Sequence, residues 1–364
     1  MYIESLELNN FRNYSSLAIS FDRGTNIFYG DNAQGKTNIL EALYLCGTTK
    51  SHRGSKDREV IRFQEEESHI RMLLKKKGIG HRIDMHLKRN RAKGVAIDGI
   101  PIRKASDLLG TVNLIFFSPE DLHMVKNGPL ERRKFMDSEL CQLSKYYLTR
   151  LVNYNRVLAQ RNKLLKDISY SDSLRDTLDV WDQQMIAYGS GLIEERESFL
   201  NRMNGILGQI HRNLTGGREE IQLVYEPSVR KEDFARQLSL NRERDLKLRL
   251  SSTGPHRDDF CIQVNGIDIR RFGSQGQQRS AALSLKLSEI DLVREVVGDQ
   301  PILLLDDVMS ELDSKRQTYL LQNISQIQTF ITCTGMDDFI HNQFQINKVF
   351  EIVDGTVHNQ SCKV

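Results

Sequence analysis

Residues 25–45 read TNIFYGDNAQGKTNILEALYL. A short apolar run ends at Gly30, and the eight residues Gly30-Asp31-Asn32-Ala33-Gln34-Gly35-Lys36-Thr37 fit the pattern GxxxxGK[ST]. Beyond them Ile39, Leu40, Leu43 and Leu45 recur at helical spacing. A strand, a glycine-rich loop and a helix in that order are the context in which this pattern has a mechanism. The glycines permit a tight loop whose backbone N–H groups turn inward on a polyphosphate, and the helix start adds the positive end of its dipole. Lys36 is placed to reach the β- and γ-phosphates and the Thr37 hydroxyl to ligate Mg²⁺, with Asn38 completing the nucleotide-binding set on the first helical turn.

Such a loop needs a carboxylate at the end of a neighbouring strand. Ile302-Leu303-Leu304-Leu305 followed by Asp306 and Asp307 supplies it. Asp306, last on the strand, is the expected metal partner; Asp307 is placed to polarise a water for in-line attack on the γ-phosphate. Most of the chain separates Thr37 from Asp306. The intervening segments are therefore insertions into one nucleotide-binding core.

The bulk composition fits this reading without adding to it. In 364 residues, 51 lysines and arginines face 48 acids, so net charge neither demands nor excludes nucleic acid. Cys46, Cys141, Cys261, Cys333 and Cys362 are scattered and never at CxxC spacing, which argues against a disulfide framework or a cysteine zinc site. No signal peptide or membrane-spanning run is visible, so a cytoplasmic location and no membrane partner are expected.

Around the core, HIRMLLKKK and HRIDMHLKR flank a turn expected at Gly78-Ile79-Gly80, and Asp98-Gly99, Asn265-Gly266 and Asp354-Gly355 read as hairpin turns. Between about 129 and 215 the pattern becomes helical. Tyr147, Leu151, Tyr154 and Leu158, then Trp181, Met185, Tyr188 and Leu192, predict an antiparallel helical hairpin with a heptad-like seam. The expected organisation is an ATPase lobe formed by 1–125 and 219–364, with a helical lobe at 126–218 between them.

The stretch FGSQGQQRS at 272–280 opens a helix and, in isolation, would be a polar cap with Ser274 or Ser280 at the N-cap. In this company Ser274-Gln275-Gly276-Gln277 resembles the signature sequence of ABC-type ATPases, and Ser310-Glu311-Leu312-Asp313 resembles their D-loop. Together, LELNNFRNY, FSPEDL, GPLERRKFMD, STGPHRDD, SQGQQR and LLLDDVMSELD resemble the RecF family, whose heads are similar to those of SMC-type chromosome ATPases.

The resemblance implies an α/β fold, an ABC-type P-loop ATPase lobe with mixed and antiparallel sheets plus a helical lobe, without a long coiled coil. It also implies ATP and Mg²⁺ as cofactors and an ATP-driven homodimer. Such a dimer binds single-stranded, gapped or junction DNA, works with RecR and RecO, and helps to load the recombinase RecA. In that dimer Ser274, Gly276 and Gln277 contact the γ-phosphate of ATP held by the other subunit, and Arg12 lies near the nucleotide. Asp307 stands where transporter-type relatives have glutamate, and Ile331-Thr332-Cys333-Thr334 is not closely followed by their histidine. Both departures point to slow hydrolysis that resets the dimer. The alternatives are an SMC-like chromosome ATPase or an ABC transporter's nucleotide-binding subunit. The basic run from Lys75 to Lys93, with Arg132, Arg133, Lys134 and Arg257, is the expected phosphate-contacting surface.

Overall fold

In the computed structural model, which describes residues 1–335 and 345–360, the strand read before Gly30 is Thr25–Tyr29. It lies inside a six-stranded sheet ordered Thr356–Gln360, Lys348–Val353, Thr25–Tyr29, Thr329–Cys333, Ile302–Asp306, Leu114–Phe117. All neighbours are parallel except the Thr356–Gln360 edge strand. The parallel register explains the unbroken apolar runs, because such strands are covered on both faces. Phe28 pairs beside Phe350, with ring centroids 5.1 Å apart, and Phe21 meets Phe330 edge-on at 4.8 Å.

A second six-stranded sheet is antiparallel, ordered Tyr14–Ser20, Tyr2–Phe11, Glu67–Lys76, Ile79–Lys88, Arg91–Ile97, Ile100–Pro101. Its strands alternate buried and exposed residues, as a sheet with one wet face requires. The helix Lys36–Thr48 contacts both sheets, which is why Ile39, Leu40, Ala42, Leu43, Leu45 and Cys46 are all buried. Gly47 lets this helix approach closely: a Cβ there would come within 2.3 Å of Leu114 Cδ1.

The turns at Asp98-Gly99, Asn265-Gly266 and Asp354-Gly355 form with positive φ at both residues, as type I′ turns demand. One turn falls earlier than read. Lys77 and Gly78 take the positive φ values, and Ile79 already begins the next strand.

The chain groups into two compact units, 1–122 with 282–364, and 123–281. Residues 219–281, read above as part of the ATPase lobe, thus pack with the helices instead. The second unit holds helices Pro129–Leu143, Lys145–Ile168 and Leu178–Thr215 and a three-stranded antiparallel sheet, Ile267–Asp268, Asp259–Val264, Ile221–Glu226. The helical hairpin forms, but its seam differs from the apolar heptad. On Lys145–Ile168 the buried set is Tyr147, Tyr154, Val157, Arg161, Leu165 and Ile168; Leu151 and Leu158 are only partly covered. Arg161 takes an inward position because Asp182 on the partner helix receives it at 2.6 Å. Periodicity in apolar residues alone passes over such a charged core position. No helix among the described residues is long and apolar enough to cross a membrane.

Candidate nucleotide-binding site

The loop after Thr25–Tyr29 is made by residues in conformations that side chains resist. Gly30 and Gly35 have φ of 143° and 113°, and a Cβ on Gly30 would sit 2.4 Å from the Ile352 carbonyl oxygen. Lys36 folds back over the loop, its Nζ donating to the carbonyls of Gly30 at 2.5 Å and Asp31 at 2.7 Å. Burial lowers its pKa from the ordinary ammonium value, against the pull of Asp307 and Asp306.

The strand Ile302–Asp306 carries its carboxylate to the same place. Thr37 Oγ1 and Thr332 Oγ1 each donate to Asp306 Oδ1 at 2.8 Å. Thr37 and Asp306 thus meet across nearly the whole chain. Two cis ligands of an octahedral Mg²⁺ with bonds of 2.0–2.1 Å lie about 2.9 Å apart, so this hydroxyl–carboxylate pair has the spacing and hard oxygen chemistry that the ion requires. Asp307 turns the chain at φ 53°, an unfavourable region for a residue with a Cβ, and its N–H donates to Thr332 Oγ1 at 2.9 Å. Burial and the neighbouring Asp306 raise its carboxyl pKa above the usual aspartate value.

Arg12, expected near the nucleotide, is engaged with the helix that follows the loop. Its Nε and Nη2 donate to both oxygens of the fully buried Glu41 at 2.8 and 2.7 Å, and it also bonds Ser55 Oγ and the Glu59 carbonyl. Ser51 adds a further bond to Glu41 at 2.5 Å. Burial would raise the Glu41 pKa, but hydrogen bonds from Arg12 and Ser51 hold it below the ordinary glutamate value. Arg12 therefore anchors the helix that follows the loop.

The side chains that brace the loop itself went unmarked in the sequence reading. Asn13 Nδ2 donates to the Gln34 carbonyl at 2.9 Å and Tyr14 OH to the Gly35 carbonyl at 3.2 Å. The Asp354-Gly355 turn closes the other side: Asp354 N–H donates to Gln34 Oε1 at 2.5 Å and Gly355 N–H to the Gln34 carbonyl at 3.2 Å. The only available signal was their place beside Arg12 in NFRNY and in a hairpin turn.

In the second unit, Ser274 and Gln277 form a reciprocal capping box at the start of helix Gln275–Val297. Ser274 N–H donates to Gln277 Oε1 at 3.0 Å and Gln277 N–H to Ser274 Oγ at 3.2 Å. Gln277 Nε2 further donates to Glu219 at 3.2 Å, and Gln278 Nε2 to the Ile269 carbonyl at 2.8 Å. The cap reading of this stretch is thus met in the structure, with Ser274 exposed to solvent. Asp313 is a simple N-cap of the helix Ser314–Ile324, its carboxylate accepting from Arg316 N–H at 3.0 Å.

The expected phosphate surface is largely paired. Lys75 meets Glu4, Lys88 meets Glu67, Lys93 meets Asp57, and Arg82 meets Asp84. Arg132 is 2% exposed and holds Asp259 with two bonds, so it is a core residue and not a phosphate ligand. Arg257 is exposed.

The RecF/RecN/SMC N-terminal domain family matches residues 2–358. A DNA replication and repair protein RecF from Lachnoclostridium phytofermentans is 58% identical over 357 residues, covering 98% of this chain and 99% of that protein. The chain belongs to the RecF family. A RecF from Lachnospira eligens is 56% identical over 99% of this chain and all of its own length. The solved structure of the recombination mediator protein RecF-ATP in the RecFOR pathway superposes with TM-score 0.90 at 35% identity, covering 99% of each chain. An Smc head bound to the C-winged helix domain of ScpA gives TM-score 0.59 at 17% identity, covering 100% of this chain and 98% of that one, a likeness of fold alone. The α/β fold expected for the chain, an ABC-type ATPase head, is therefore the fold of its RecF-family neighbours as well.

Proposed function

We propose that this protein is an ATP-dependent DNA-binding protein of recombinational repair and replication restart. The reading is carried by the meeting of Thr37 and Asp306 beside the glycine loop, 2.8 Å apart. Lys36 leaves the carbonyls of Gly30 and Asp31 for the β- and γ-phosphates, and the loop's N–H groups hold their oxygens. Thr37 and Asp306 hold Mg²⁺, which when bound neutralises charge on the phosphates. Asp307, its basicity raised by burial and by Asp306, accepts a proton from the attacking water. Thr332 ties the two acids together through a neutral hydroxyl, and no histidine closely follows Ile331–Thr334 to supply a titratable charge. Turnover is accordingly slow and serves to reset the assembly.

Ser274, Gly276 and Gln277 recognise the γ-phosphate on a second copy of the chain, giving up the capping bonds Ser274 makes to its own helix. ATP thereby closes a homodimer, and the closed dimer binds gapped or single-stranded/duplex DNA. It works with RecR and RecO in loading the recombinase. The likeness to RecF relatives named for DNA replication and repair supports this reading.

Light scattering with ATP tests it. Lys36→Met should lose nucleotide binding and remain a monomer; Ser274→Arg should bind ATP and remain a monomer. An ATP-bound Ser274→Arg dimer would refute recognition in trans. Sedimentation with gapped and intact duplex DNA, with and without ATP, tests the DNA step; binding indifferent to ATP would sink it.

A further inference from the structure

The exposed face of the antiparallel sheet is mostly a ladder of ordinary ion pairs. Arg71, for example, reaches Glu7 at 3.3 Å and Asp84 at 2.7 Å on the flanking strands. One row of the ladder is chemically different. His69 lies directly opposite His86, and their rings stack with centroids 3.9 Å apart. Glu67, two residues before His69 and so on the same face, reaches both: His86 Nε2 is 2.9 Å and His69 Nε2 3.7 Å from its carboxylate oxygens. One donor atom from each of the three lies within 4.8 Å of the others.

The row continues on both sides. Asn9 is opposite His69, and Gly94 is opposite His86. A Cβ at Gly94 would meet only His86 Cβ, at 3.9 Å, so Gly94 puts no side chain of its own against His86. Asn9, His69, His86 and Gly94 line a groove of about 370 Å³. The cluster therefore opens onto space for further ligands.

Two imidazoles and one carboxylate are the donor set of a borderline divalent ion and not of Mg²⁺, which takes oxygen. Donors on a tetrahedral zinc with bonds near 2.0–2.2 Å lie about 3.4 Å apart, within reach of small rotations of exposed Glu67 and His69 and half-buried His86. Lys88, 3.6 Å from Glu67, now supplies the positive charge that a metal ion would replace. The three residues join neighbouring strands at the end of the hairpin remote from its Lys77-Gly78 turn.

We propose that Glu67, His69 and His86 form a second metal site, for a zinc-class divalent transition ion, that staples strands Glu67–Lys76 and Ile79–Lys88 together on the open face of the sheet. It is independent of the oxygen-donor pair Thr37–Asp306 in both place on the chain and chemistry.

Titration calorimetry of the full-length, nucleotide-free protein with ZnCl₂ and with NiCl₂ near pH 7.5 should show one site per chain. Excess MgCl₂ should not displace the ion, and Asp306→Asn should leave this binding intact. Either His69→Ala or His86→Ala should weaken it by about 10–100-fold or more, given that even outer-shell changes have effects of that size. Both variants should melt with wild type in EDTA, while only wild type gains melting temperature from zinc. A further arm uses the protein without an affinity tag on immobilised nickel: wild type should be retained, and Glu67→Gln/His86→Ala should pass through. Saturable zinc binding of wild-type affinity that survives in a His69→Ala/His86→Ala double variant, or none in wild type, would overturn the proposal.

Discussion

The two units bury different things. The unit that carries the glycine loop closes two sheets on an aliphatic and aromatic centre, with Phe28, Phe330, Phe350 and Leu304 wholly inaccessible. The unit formed by 123–281 threads its centre with arginine. Arg161 is fully buried and donates to Asp182, Asp245 and Ser251 at 2.6, 2.7 and 2.8 Å. Arg196 reaches Asp258 at 2.9 Å, Asp137 at 2.8 Å and Tyr147 at 3.0 Å. Apolar packing of parallel strands places their ends in a row, which is what a loop and a carboxylate need in order to meet. A bundle of helices has no such ladder to set its register. Its ion pairs do that, since an arginine one position out of place would leave a buried charge unpaired.

The largest expected effect tests the chemical side of that contrast. Asp307→Asn should lower ATP turnover by about 10²–10⁴-fold, the range for loss of a positioned base, with ATP affinity and unfolding midpoint close to wild type. Single-turnover hydrolysis and urea melts would separate the two readouts; a normal rate would remove Asp307 from the chemistry.

Arg161→Ala tests the other side. It leaves Asp245 buried without its cationic partner and Asp182 with Arg242 alone, and should cost about 3–5 kcal/mol in the 123–281 unit. Replacing all three by apolar residues of similar volume should recover most of that stability in the same urea melts. Failure to recover would mean that the ions fix the packing and cannot be exchanged for oil.

Acid should act on both units. His52, stacked on Phe116, and His256, bonded to Tyr154 OH at 2.7 Å, are each held near a pKa of about 4, first of all by burial. The unfolded chain protonates them near 6.5 while the folded chain does not, so their contribution is full above that pH and is lost as pH falls from about 6.5 to about 4. Each histidine should contribute a loss of about 2–3 kcal/mol over that window. His256→Gln should flatten the pH slope of melting; an unchanged slope would place the proton elsewhere. Least of all, Arg71→Ala on the exposed sheet should change stability by less than about 1 kcal/mol, because pairs in water are weak.

How much was legible follows from where each signal is stored. The glycine loop, the two acids after Ile302–Leu305 and the type I′ turns are set by backbone preferences within a few residues, so they could be read directly. The helical seam could be read only in part, because an apolar period cannot announce that Arg161 is an inward residue. Arg132 was read as surface charge for the same reason: its partner Asp259 lies far along the chain.

By itself the sequence determined the glycine loop, the acid strand that meets it, the hairpin turns and the family. Tertiary structure alone decided that Arg12 serves Glu41, that Thr332 links the acids, and that residues 219–281 pack with the helices. It also decided that His69 faces His86. The division is physical. Local conformation is a property of neighbouring residues, whereas a partner for a charge or an imidazole depends on which distant strand or helix the closed chain brings alongside.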